Sequence, residues 1–140
     1  MPLSDRKLLK EWVLAEPKSG DALLCYGASL LQWSWEARGY GKGTDVSSEQ
    51  WALFHDRLAR TRSILFRCAG ALPDDPTPWA FLIMIGTWSS ETDDSKFKYF
   101  ENAAERDPDN WAAHVHMLIA LSKKWGGSHE DMLNFARNVS

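Results

Sequence analysis

The residues best equipped for chemistry in this chain are its histidines. His114 and His116 stand two apart, with His129 and Asp131 further along. On a helix, residues two apart point ~200° away from each other around the axis, so His114 and His116 cannot chelate one ion together. Helical zinc sites use an i, i+4 pair as in HExxH, and that spacing is missing here. The reading is no metal and no cofactor. "RGYGKGTD" offers glycines at 39, 41 and 43 beside Lys42, but neither GxxxxGK[ST] nor a GxGxxG after a strand is present. Cys25 and Cys68 fall on apolar helix faces, where a thiol is an inert small hydrophobe. There is no GxSxG elbow, and Asp74, Asp75, Asp93 and Asp94 fall at helix boundaries, where carboxylates cap. A non-enzyme is expected.

The stretch that looks most like a site is "SKKWGGSHEDM", Ser122 to Met132. It reads instead as the turn of a helical hairpin. Lys123 and Lys124 suit a helix C-terminus, and Gly126 or Gly127 can take the left-handed conformation that ends a helix. Ser128 can cap the next helix, with Asp131 three places on. Trp125 is expected to fold back over the hairpin as a hydrophobic clasp.

The elements that must position these residues are all helical, because no stretch sustains the period-2 alternation of a strand. Ser4 can cap a first helix from Asp5 to about Ala15, stopped by Pro17. The second, Gly20 to Ala37, is apolar nearly all round and so expected to be central. The third opens with Ser47 and Gln50 at capping-box spacing. It places Trp51, Phe54, Leu58, Leu65, Cys68 and Leu72 on one face. "PDDPTP" ends it. Asp75–Ala80 ("DPTPWA") then recurs 32 residues later as Asp107–Ala112 ("DPDNWA"). Each unit reads as helix, turn, helix, Asp-Pro, with the tryptophan opening the inward face of its helix. One hairpin cannot bury its apolar face alone, so neighbours stack.

Composition limits the rest. The chain has 140 residues, a net charge of −3 and eight tryptophans. It lacks the basic excess of a general nucleic-acid binder. No run approaches the ~18 apolar residues of a membrane span. With a polar, charged start and two isolated cysteines, a cytoplasmic setting is expected.

The repeat resembles the tetratricopeptide repeat. Gly86 takes the small position of the first helix, and Phe100, Ala103 and Pro108 form the closing series, with Cys68, Ala71 and Pro76 as a looser copy upstream. The unit is two residues short, and Leu118 stands where Gly86 does. From Trp33 to Arg137, "RDPDNWAAHVHML" and "KWGGSHEDMLNFAR" are also similar to tetratricopeptide-like bacterial proteins, common in actinobacteria, that carry a domain of unknown function. Members often continue past this segment, which implies a short member or one lacking a further helical pair.

The expected architecture is all-α: one domain over 1–140, about seven helices in stacked hairpins, and a right-handed superhelix. Hairpin repeats would span about 76–107 and 108–140, after N-terminal helices within 4–72. The first helix of each tetratricopeptide-like hairpin lines a concave side, which places Met84, Thr87, His116 and Lys123 there. Arg57, Arg60 and Arg67 could read a carboxylate, and Trp33 and Trp35 could anchor an apolar group; the alternative is that the arginines are a solvated face. The first functional expectation is a non-catalytic scaffold for a protein or peptide partner, including a regulatory or immunity-type one. The second is a small-molecule or cofactor-binding protein using the Trp- and His-rich interior. The third is a module that pairs as a homodimer through its terminal helices.

Overall fold

The computed structural model describes residues 3–139, with side chains from Asp5 onward. Among them are seven α-helices and no strand: α1 (Leu3–Ala15), α2 (Gly20–Arg38), α3 (Ser48–Ala71), α4 (Thr77–Trp88), α5 (Asp93–Arg106), α6 (Trp111–Ala120) and α7 (His129–Val139). The all-α expectation holds. The cap assigned to Ser4 rests on a side chain outside those described. The chain forms two compact units, Met1–Pro73 and Asp74–Ser140.

In the first unit α2 packs against both α1 and α3. Ser19 caps α2 by accepting the Ala22 N–H, and Pro17 stands in the turn that ends α1. The α2–α3 seam is close because α2 is small where α3 is large. A Cβ on Gly20 or Gly27 would lie 2.3 Å or 2.9 Å from Leu72 or Leu65, and these pairs are one heptad apart. Further along, the Ser34 hydroxyl donates to Leu30 O, and that of buried Thr61 donates to Arg57 O. Hydroxyls satisfied within their own helices keep this polar step of the seam from costing stability. Val13 of α1 joins Ala22, Leu23 and Cys68 in the core. The capping box at Ser47 and Gln50 forms as the spacing predicts, both bonds being made. Cys25 departs from expectation: it is exposed, while Cys68 is buried.

In the second unit α4 packs on α5 and α6. Its sequence, TPWAFLIMIGTW, is apolar all round, and it buries Ala80, Leu82, Ile83, Ile85, Gly86 and Thr87. The 32-residue repeat is visible in individual hydrogen bonds. Asp75 Oδ1 accepts the Thr77 N–H at 2.9 Å, and Asp107 Oδ1 accepts the Asp109 N–H at 3.1 Å. Beyond that turn the copies diverge. Helix α4 starts at once at Thr77, with Pro78 in its first turn. Helix α6 waits until Trp111, because Asn110 takes the cap and accepts the Ala113 N–H at 2.9 Å.

The two repeat tryptophans diverge as well. Trp79 packs against Tyr99 at 6.5 Å, with the Arg106 guanidinium 5.3 Å from its ring centre. Trp111 is 77% exposed, which corrects the expectation that both open an inward face. The register explains it: the positions equivalent to Tyr99 and Arg106 hold Asp131 and Asn138, so α7 supplies no cage.

Candidate functional site

The turn between α6 and α7 is built as a turn. Helix α6 ends at Ala120, so Lys123 and Lys124 sit in a 3₁₀ turn (Lys123–Trp125) rather than at an α-helix C-terminus, a correction to the sequence reading. Gly126 adopts φ 91°, the left-handed region. A Cβ on Gly127 would lie 1.9 Å from Leu121 O, so only glycine fits. Its N–H donates to Ser122 O, and Ser128 Oγ accepts the Asp131 N–H. Trp125 is half-buried, and it lines a polar concavity of about 370 Å³ with Glu91, Asp93 and Lys96 of the α4–α5 corner. The charged groups of the α4–α5 corner are engaged. Lys96, only 3% exposed, pairs with Asp93 at 3.1 Å, and Glu91 accepts the Tyr99 hydroxyl at 2.7 Å.

The histidines also have structural roles. His114 makes a 2.8 Å hydrogen bond between Nε2 and Pro108 O and stands edge-on to Phe100 at 5.1 Å. His116 is half-buried, and that burial lowers its pKa below the ordinary value. Among the described residues no three His, Cys, Asp or Glu side chains are grouped to hold a metal ion. The Gly39–Gly43 loop is held by Arg38, which donates to Gly39 O and Gly41 O and lies 5.0 Å and 5.1 Å from the Trp35 and Trp51 ring centres.

A different region has the form of a binding site. Helices α1, α2 and α3 enclose an open cleft of about 630 Å³. Its floor is Tyr26, Leu30 and Trp33 from one face of α2, with Ile64 from α3. Its rim is Arg6, Lys7 and Lys10 on α1 and Arg60 on α3, with Ser63 beside them; among the described residues no carboxylate lines it. Helical spacing puts these side chains on common faces: 6 and 10, 26, 30 and 33, and 60 and 64.

Trp33 is the centre of the arrangement. The Arg57 guanidinium lies 4.2 Å from its ring centre and that of Arg6 lies 5.9 Å away. Arg57 also donates to Trp33 O at 2.7 Å, fixing α3 to α2. Arg6 is only 8% exposed and donates from one terminal nitrogen to both oxygens of Glu36, at 3.2 Å each. Its Nε, and that of Arg57, are buried without a hydrogen-bond partner among the described residues. A guanidinium presents five N–H donors, so one carboxylate leaves Arg6 with capacity to spare. Desolvation by burial raises the Tyr26 phenol above its ordinary pKa, while the charges of Arg6 and Arg60 pull it down. Burial likewise lowers the pKa of Arg57, opposed by Glu36 and reinforced by Arg6.

The nine residues singled out from sequence are distributed over both units. Trp33 and Arg60 line the cleft, and Arg57 lies against the Trp33 ring. Arg60 also pairs with Asp56 at 3.2 Å, an exposed i, i+4 contact of little energetic weight. Arg67 donates to Pro17 O at 3.3 Å and ties α3 to the α1–α2 turn. Trp35 packs on Phe54 at 5.3 Å. In the second unit Met84 and His116 are half-buried and Lys123 is exposed. Thr87 is 4% exposed and donates to Ile83 O, so it packs rather than presents a hydroxyl. Sequence reasoning did not select Arg6, Lys7, Lys10 or Tyr26. The available signal was the Arg6/Lys10 pair at i, i+4 beside an apolar stripe at 26, 30 and 33.

Compared with family models, with curated proteins and with solved structures, the chain matches none. No helix among the described residues is long and apolar enough to cross a membrane.

Proposed function

We propose that this chain is a non-catalytic helical-repeat scaffold of the tetratricopeptide-like kind that binds a protein or peptide partner, with the α1–α3 cleft as the docking site. The observation that carries the reading is the cleft itself: an aromatic floor centred on Trp33 under four cationic side chains, with no carboxylate among the described lining residues. Such a site supplies what recognition needs, an apolar anchor point and charges that orient what docks there. Its described lining includes no nucleophile–base pair and neither His114 nor His116. Cys25 and Cys68 form no disulfide, which suits a reducing, cytoplasmic setting. Affinity capture with the intact chain tests the reading. A specific partner retained by the wild type and lost with Trp33→Ala is expected; a partner indifferent to that change moves the docking site elsewhere.

A small-molecule reading is favoured by one observation, the cleft volume of about 630 Å³, which is that of an ordinary ligand pocket. A thermal-shift panel of amphipathic acids separates the two. A shift of several degrees that Trp33→Ala abolishes supports this second reading.

A further inference from the structure

We infer that the occupant of the α1–α3 cleft is an acidic segment of a partner protein: an apolar side chain on the Trp33 floor, with flanking carboxylates on Arg6, Lys10 and Arg60. The inference rests on the binding reading above and adds the chemistry of what binds. Three observations carry it.

First, the rim holds a fixed cation. Arg6 lines the cleft, is more than nine-tenths buried, and is held by Glu36 through one terminal nitrogen. A guanidinium has five N–H donors, so this preorganised cation keeps hydrogen-bonding capacity for a second carboxylate. Second, the cations stand on two different helices, α1 and α3, on either side of an apolar floor. A single small acid engages one side, whereas carboxylates spread along a chain engage both. Third, charge is divided between the two units. The first carries ten Lys and Arg against eight Asp and Glu; the second carries six against eleven. The excess of positive charge lies in the unit that holds the cleft, so long-range attraction steers an acidic segment there.

The test is fluorescence anisotropy with the full chain and a dye-labelled peptide in which one leucine is flanked by glutamates, beside the same peptide with lysines for glutamates. The acidic probe is expected to bind saturably and to weaken as salt rises. Arg60→Glu and Lys10→Glu should each weaken it about tenfold without moving the melting curve. Trp33→Ala should abolish binding, and Lys98→Glu in the second unit should leave it unchanged. Equal binding of the lysine probe, or indifference to Arg60→Glu, overturns the acidic chemistry. Dodecanoate saturating the cleft while the peptide does not bind assigns it to a small acid and overturns the inference. Light scattering that shows a dimer broken by Arg60→Glu overturns it in favour of a second copy. If the probe fails but Trp33→Ala still releases a captured natural partner, the acidic segment is wrong and the docking site stands. If capture is also indifferent to Trp33→Ala, both fall.

Discussion

The α6–α7 turn and the α1–α3 cleft are opposites in how they read and how they are built. The turn concentrates tryptophan, glycine, serine and histidine in eleven residues of sequence, yet its groups are spent on holding the backbone. Gly126 supplies the left-handed residue, Gly127 fits against Leu121 O, and Ser128 caps α7. The cleft is assembled from three ordinary helices, and its charges face outward from an aromatic floor: Arg6, Lys7, Lys10 and Arg60 rim Trp33, and among the described residues no carboxylate lines it. Unusual local composition marks a constraint on the backbone; a recognition surface is made by juxtaposition.

This contrast predicts that turn variants cost stability and cleft variants cost binding. The largest effect is expected from Gly127→Ala. A Cβ 1.9 Å from a backbone oxygen forces the turn open, and a loss of about 3 kcal/mol should appear in chemical denaturation. An unchanged midpoint would mean the turn is looser than its geometry. Next is Trp33→Ala, expected to cost at least about 2 kcal/mol of partner affinity by calorimetry, as central aromatic anchors do. Arg60→Glu should follow, at about tenfold in affinity, with more loss at low salt than at high. Gly126→Ala should cost about 1 kcal/mol of stability through its positive φ and leave affinity alone.

The smallest effect is a pH dependence. Burial lowers the pKa of His116 in the folded state, so the unfolded chain binds the proton more readily. Its stabilising contribution is therefore complete above the unfolded value of about 6.5 and is lost as pH falls through the folded pKa. Denaturation midpoints measured between about pH 7 and pH 5 should fall less in His116→Gln than in the wild type.

Most of the fold was legible because helices announce themselves locally. The Ser47–Gln50 box, Pro17, the α3 stripe and the Asp-Pro repeat each act within a turn or two of chain. The errors arose where a distant partner decides. Trp79 and Trp111 occupy one register position, and only the residues on α5 and α7 determine that the first is caged and the second exposed. Cys25 sits in an apolar run, yet the face it occupies is exposed. The cleft was half legible. Trp33, Arg57 and Arg60 were recognisable as surplus aromatic and basic groups. Arg6 and Lys10 looked like the solvated face of α1, because nothing local says that α1 lies along Tyr26 and Trp33.

The most direct measurement is partner capture by the full chain carrying Arg60→Glu, set beside the chain carrying Gly126→Ala, each well below its melting temperature. The account predicts that Arg60→Glu melts like the wild type and releases the partner, while Gly126→Ala melts earlier and retains it. Retention by Arg60→Glu together with release by Gly126→Ala would place recognition in the turn and contradict the account.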